Sequence, residues 1–541
     1  MAEVVNAALT RKGPSEPNAL YESMKLLWCR SRAVCSGERF VKAYDTIIDN
    51  VRFTNMLLPF STSMDQKQYD FYRAEAELPG IVAQYARIIV GGLLRKRPVL
   101  ELPAAFAPDV KDWILNEFGQ DESPLVSFLD SALWEELQTS RVWIYVDYPK
   151  ISTPESMTRE DYQKVKPYPV IWKAENVINW RYSETPKGKR QLVLVVCRTY
   201  EEEIGGDPFH PALVETIVAH QLVNGYYQIT IWQRDTAATS VPVVNAKIQT
   251  DFSGGQTQGG LNAVGMHGFK EISVNTNIMM NGARLEMIPA WPLNGSQEPP
   301  EPALTQLVDR EISLYNKISR RNHLLYGAAT YTPVIASNMI DSDFEEIVNG
   351  GLGSWIKINQ GDTATCLATP TEALADMDRA IVAVIEEMAK LGVRMLSPET
   401  AQSGVALDIR NASQTAQLGS MNQRISHTLR QVICFMINWR YNVEISPKDI
   451  NFLMSADFNA TPLGNDWVRL ATEWYQAGLI PRSVWLTLLK QNDLVDSDYD
   501  DKAGQAEIAA DPLVMSLPAE QQLQAEAAAL AAEDNGLPKG K

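Results

Sequence analysis

Residues 371–391 read TEALADMDRAIVAVIEEMAKL, and the order of apolar side chains in that stretch decides the fold. Leu374, Met377, Ile381, Val384, Met388 and Leu391 recur at alternating steps of three and four. A helix with that spacing carries them in one heptad-like seam, made for packing on another helix. Thr371 and the acids after it suit an N-cap, and Gly392 suits a C-terminal stop. A partner of similar length is expected upstream, from Ala303 to about Tyr326, with Leu304, Leu307, Val308, Leu314, Tyr315 and Ile318 on its apolar side. At about 1.5 Å per residue that helix is roughly 36 Å long. Arg310, Lys317 and Arg321 share a different side of it.

Between the two helices, residues 328–370 read as a small α/β insertion. Thr332 to Ala336 and Ser354 to Ile358 are its short strands, and Asn349 to Gly353 a turn. Downstream, Ser397 to Gly404 is a polar loop. A third helix is expected from about Asn411 to Tyr441, with Leu418, Met421, Ile425, Leu429, Val432, Met436 and Trp439 at helical spacing. Shorter helices follow at Asn465 to Ala477 and Pro481 to Lys490. From Gln491 to Lys541 eleven acids face three lysines and alanine dominates residues 519–532, which reads as a weak helix on a polar tail, or disorder.

Upstream, residues 1 to about 120 read as mainly helical. Glu38 to Asn50 is one expected helix, and Gln66 to Leu94 another, broken at Leu78-Pro-Gly80. The basic run Arg95-Lys-Arg-Pro98 ends it, because proline disfavours helix at the residue before it. That run reads as a solvated helix end, with DNA contact as the alternative. Ser123 to Thr139 is a further helix. Residues 141–292 are rich in β-branched and aromatic residues, at Arg141 to Asp147, Pro169 to Trp172, Gln191 to Tyr200, Leu213 to Leu222 and Tyr226 to Arg234. Asn224-Gly225 between the last two is a strong hairpin signal. The glycine-rich stretch Ser253 to Gly260 lacks the lysine and spacing of a phosphate-binding loop and reads as a flexible loop; Pro292 to Pro302 is a linker.

A chain of 541 residues exceeds what one core usually serves, so several lobes are expected. No run of eighteen apolar residues occurs, so no membrane partner is expected. Residues 1–18 lack the apolar core of a secretory signal. The five scattered cysteines, without a CxxC pair, read as reduced thiols of a protein made in a cytoplasm. The net charge of −17 argues against tight nucleic-acid binding. The five histidines form no HExxH, and neither a GxxxxGK[ST] nor a GxSxG motif occurs. Carboxylate pairs such as Glu386-Glu387, or Asp343 with Glu345, read as exposed helix faces. No catalytic residue, cofactor or metal ligand is expected.

Several local runs, in this order, resemble the tailed-bacteriophage portal family, the head-to-tail connectors. They are Phe71-Tyr-Arg-Ala-Glu-Ala76 with Ile88 to Pro98, Ala303 to Val308 with Tyr315, Arg320 to Thr330, Gly353-Ser-Trp-Ile-Lys-Ile358, Met388 to Leu396, and Glu399 to Leu407. The resemblance spans roughly residues 40–480. It implies an α+β portal fold in an elongated, multi-lobed subunit. Residues 1–302 would be an N-terminal helical region and strand-rich wing, 303–327 and 371–392 the stem helices, and 328–370 a small clip. Residues 393–480 would hold the tunnel loop and the long wing helix, and 481–541 the crown and acidic tail. The resemblance further implies a non-enzymatic ring, typically of twelve copies, at one capsid vertex of the virion. Such a ring passes double-stranded DNA without reading it, and meets the major capsid protein, the terminase large subunit, and an adaptor, head-completion or tail protein. Ser397, Glu399, Thr400, Gln402, Ser403 and Gly404 would be the tunnel loop that touches DNA. The alternatives are another structural virion protein, such as an adaptor or tail component, or an acidic metal-dependent phage enzyme.

The seams explain a ring physically. Long amphipathic helices in a thin subunit leave their stripes incompletely covered, and neighbouring copies supply the missing surface through a heterologous interface that closes. The seam Leu374, Met377, Ile381, Val384 and Met388 is the expected packing surface, while Arg310, Lys317 and Arg321 are expected to face DNA or an acidic neighbour, with a solvated outer face as the alternative. A conduit for DNA is better acidic than basic, since every phosphate neutralised adds grip.

Overall fold

The computed structural model describes residues 13–42, 47–48, 51–52, 66–103, 106, 108–149, 165–186, 188–202, 209, 213–234, 268–329, 334–336, 341, 345, 356–358, 371–391, 404–454, 465–491, 495 and 504. The chain divides into two compact units, Met1–Ser455 and Ala456–Lys541. It is an α+β protein with several antiparallel sheets.

The first unit opens on helices α1 (Ala19–Ser36), α2 (Glu38–Lys42), α3 (Gln66–Glu75), α4 (Ile81–Leu93), α5 (Pro108–Asn116) and α6 (Leu125–Thr139). Asn18 caps α1 by accepting a 2.7 Å bond from the Tyr21 amide. Tyr21 and Trp28, seven residues apart, bury the same side of α1, together with Cys35. The break expected at Leu78-Pro-Gly80 separates α3 from α4, and Gly80 takes a positive φ of 72° there. The helix expected over Glu38 to Asn50 is only five residues long. Beyond it the chain pairs β1 (Ile47–Ile48) with β2 (Val51–Arg52). Ile47, Ile48 and Val51 are β-branched, and such side chains favour paired extended backbone over helix.

The strand-rich lobe contains three-stranded and five-stranded sheets. After the short β3 (Val99–Glu101), strands β4 (Trp143–Asp147) and β5 (Tyr168–Trp172) form the first of these with a later strand. Strands β6 (Val177–Glu184), β7 (Arg190–Glu202), β8 (Leu213–Val223), β9 (Tyr226–Arg234) and β10 (Phe269–Asn275) form an antiparallel meander in the order β10-β9-β8-β7-β6. At the β8–β9 turn Asn224 and Gly225 have φ of 53° and 84°, the two left-handed residues of a tight hairpin turn. The same chemistry recurs at Asn281-Gly282, which joins β11 (Met279–Met280) to β12 (Ala283–Arg284). Strand β13 (Ala290–Pro292) completes the smaller sheet, in the order β13-β4-β5. Strand β6 was not among the runs singled out in the sequence, because Val177-Ile-Asn-Trp-Arg-Tyr breaks strict alternation with two apolar residues at its start. The glycine-rich stretch 253–260 lies outside the described residues.

Two long helices follow, α7 (Thr305–Ala329) and α8 (Thr371–Lys390), with the short strands β14 (Val334–Ala336) and β15 (Ile356–Ile358) paired in parallel between them. The third long helix, α9, runs Gly404–Tyr441 and so begins seven residues earlier than the expected Asn411. Val405-Ala-Leu-Asp-Ile-Arg410 contains no proline or other stop, so nothing in the chain delays the helix. Its expected stripe is buried at Ile425, Leu429, Val432 and Met436, against β4, β13 and β16 (Asn451–Leu453). Strand β16 pairs with β3. The second unit contributes α10 (Asn465–Gln476) and α11 (Arg482–Gln491), joined through Gly478 at φ 72°. Tyr475 and Trp485 stack across that pair at 4.8 Å.

Candidate functional site

Helices α7 and α8 lie side by side, and two ion pairs fix their sense. Arg310 Nε lies 3.2 Å from Glu387 Oε2, and Arg321 pairs with Asp378. A residue eleven positions later on α7 thus meets one nine positions earlier on α8, so the helices are antiparallel. Val384 and Met388 of the seam are 7% and 1% exposed, while Leu374, Met377 and Ile381 are half-buried. Val382 and Ile385 are different, at 53% and 44% exposed. At about 100° per residue, Val382 lies roughly 160° around the helix from Val384. Helix α8 therefore carries aliphatic side chains on two sides, one of them uncovered within the described chain.

Helix α7 is held by more than its partner, because three consecutive side chains reach three elements. Asp309 takes a 2.6 Å bond from Arg30 on α1, Arg310 reaches α8, and Glu311 turns into the protein. Glu311 is fully buried and accepts from the amides of Ile81 and Val82 at 2.8 and 2.7 Å. Those amides are the free donors at the start of α4, whose cap residue Gly80 has no side chain to serve them. A distant carboxylate thus does the capping and sits where the helix dipole favours negative charge. Burial nevertheless holds its carboxyl above the ordinary range, and the amide bonds offset only part of that shift. Further along, His323 Nδ1 lies 3.7 Å from Glu75 Oε2 of α3, and the rings of Phe71 and Tyr326 meet at 5.0 Å.

The other residues expected to matter fall as follows. Arg310 and Arg321 find their acidic partners inside the same chain, and Lys317 is half-buried on α7. Ser397, Glu399, Thr400, Gln402 and Ser403 of the polar loop lie outside the described residues. Gly404 is the first residue of α9 rather than part of a loop. Among the described residues no group of three or more metal-binding side chains occurs, and no helix is long and apolar enough to cross a membrane.

Two features escaped the sequence reading. Glu311 stands between Val308 and Tyr315 on the apolar stripe of α7, and an acid on such a stripe is the signal that marks a buried polar role. Val382 and Ile385 extend the aliphatic surface of α8 beyond its seam, a width legible in residues 381–385, Ile-Val-Ala-Val-Ile.

Comparison with known families places one match on this region. A family described as a domain of unknown function, DUF4055, matches residues 303–440. The matched span begins two residues before α7 and ends one residue before the last of α9. It therefore takes in the antiparallel pair, the segment between its helices and all but the last residue of the long helix as one stretch of sequence. No curated protein matches the chain.

Proposed function

We propose that this chain is the subunit of a portal ring: a non-enzymatic annulus at one vertex of a phage capsid through which double-stranded DNA is packaged and ejected. The observation that carries the reading is the second aliphatic face of α8. Val384 and Met388 are already covered by the chain itself, yet Val382 and Ile385 stand exposed, with Ala375 and Ala389 in line with Val382 at steps of seven. A helix with one face filled from within and another left bare is suited to a neighbouring copy. These side chains are the apolar centre of such a contact, which needs roughly 800 Å² per partner to be stable. A heterologous contact of this kind repeats around an axis until it closes.

The order of elements also supports the reading: a strand-rich lobe, an antiparallel helix pair with a small strand-bearing segment between, then a 38-residue helix of about 57 Å. On this reading α7 and α8 are the stem, residues 328–370 the clip that meets terminase and the adaptor or tail protein, and the strand-rich lobe the wing toward the major capsid protein. Arg310 and Arg321 are engaged by Glu387 and Asp378, and with a net charge of −17 the chain offers DNA little to grip. Such a ring works in the virion, after its subunits are made in the host bacterial cytoplasm. Mass measurement of the purified chain in solution, with negative-stain imaging, tests the proposal. Annular particles of about twelve copies with a central hole are expected. A lone compact particle at high concentration would overturn it.

A further inference from the structure

One histidine sits where the two larger sheets of the strand-rich lobe meet. His220 on β8 is buried with its ring 4.8 Å from that of Tyr145 on β4 and 4.9 Å from that of Trp172 on β5. Tyr145 and Trp172 stack on each other at 4.4 Å, and Tyr227 of β9 lies nearly parallel to the imidazole at 6.0 Å. A line of polar atoms runs outward from this box. His220 Nδ1 is 2.6 Å from the Tyr227 hydroxyl, which is 3.2 Å from that of Tyr145, which donates to Asp147 at 3.4 Å. Asp147, half-buried at the end of β4, also accepts from the Tyr168 hydroxyl and the Tyr148 amide.

We propose that this seam is an acid-operated latch: protonation of His220 forces the five-stranded sheet away from the three-stranded one. The described titratable groups around the imidazole are Tyr227 from β9, Tyr145 and then Asp147 from β4, Tyr168 from β5 and the Cys197 thiol from β7. Only Asp147 among them is charged at neutral pH, and it reaches the imidazole through two hydroxyls rather than by contact. An imidazolium there, buried from solvent, has ring faces for company but, among the described residues, no touching carboxylate. Burial accordingly pushes His220 from its ordinary 6.5 down to about 3. A base with a lowered folded value stabilises the closed seam fully above 6.5 and loses that contribution as the pH falls toward 3. Each unit below 6.5 favours the open form by a further factor of about ten, or about 100-fold at pH 4.5.

Hydrogen exchange read by mass spectrometry on the full chain tests the latch, with rates corrected for the intrinsic effect of pH. Between pH 7 and 4.5, protection in peptides covering β4, β5, β8 and β9 is expected to fall by about 100-fold, while α6 keeps its protection. His220→Phe is expected to hold the seam closed across that range. Should phenylalanine not be accepted, His220→Gln, uncharged and able to bond the Tyr227 hydroxyl, carries the same expectation. A wild-type seam still protected at pH 4.5 overturns the proposal whatever the variants do. So does a folded variant that loses protection to the same extent as wild type.

Discussion

A buried carboxylate on an apolar helix stripe caps a second helix in this chain. Glu311 sits on a helix stripe otherwise given to Leu304, Val308 and Tyr315, and its two oxygens serve the amides of Ile81 and Val82. Removing it strands two buried donors at the start of α4 and leaves a hole behind. Glu311→Ala is expected to cost about 2–4 kcal/mol, measured by denaturant unfolding. The pH dependence has a definite sign. Because the folded carboxyl is held above its ordinary 4.5, its contribution is complete below that pH and fades as the pH rises through the folded value. The opposite case is Glu135. Burial alone would raise it, but the hydrogen bond and charge of Arg32, with Lys173 adding its own, bring it below the ordinary range. Its contribution is present above 4.5 and is lost in acid. Neither role was legible in advance: Glu311 bonds a helix more than two hundred residues away and Glu135 an arginine about one hundred away, and local spacing shows at most the odd place of Glu311 on its stripe.

Elements were more legible than residues, and the reason is physical. A hairpin is closed by a few adjacent residues, so Asn224-Gly225 announces itself, and the structure gives both residues the positive φ that a tight turn requires. Gly225→Val is expected to cost on the order of 1–2 kcal/mol by thermal unfolding, because a β-branched residue resists a φ of 84°. The heptad-like spacing of α8 was equally local, and Val384 and Met388 are buried where that spacing placed them. Helix ends and edge strands were harder. The strands β3 and β16 pair with each other across about 350 residues, so neither has a local partner to announce it. The ion pairs between α7 and α8 also needed the fold to be seen. Arg310–Glu387 and Arg321–Asp378 join residues more than fifty positions apart, and being largely exposed they contribute under about 1 kcal/mol each. Their value lies in setting the register of two helices rather than in strength.

At the scale of the whole molecule, the surface on which the proposed ring can be tested is the uncovered aliphatic side of α8. If copies of the chain meet there, a charge at its centre should abolish the assembly while leaving the subunit folded, because Val382 is exposed within one chain. Val382→Glu is expected to shift the protein from rings to single subunits by mass photometry, with an unchanged circular dichroism spectrum. Rings that persist in this variant would show that the contact lies elsewhere. The strand-rich stretch before α7 and the long helices after it were readable from composition shifts along the chain, which follow from the different side-chain needs of sheets and helices. That Val382 and Ile385 stay uncovered was not, since spacing places Val384 in the seam but does not say what packs on the other side of the helix.

The antiparallel course of α7 and α8 has one more consequence. Ala329 leaves the first helix and Thr371 enters the second at the same end of the pair, so whatever lies between them hangs from two adjacent anchor points. A graft of foreign sequence between those anchors would have to match only the short gap between two neighbouring helix ends.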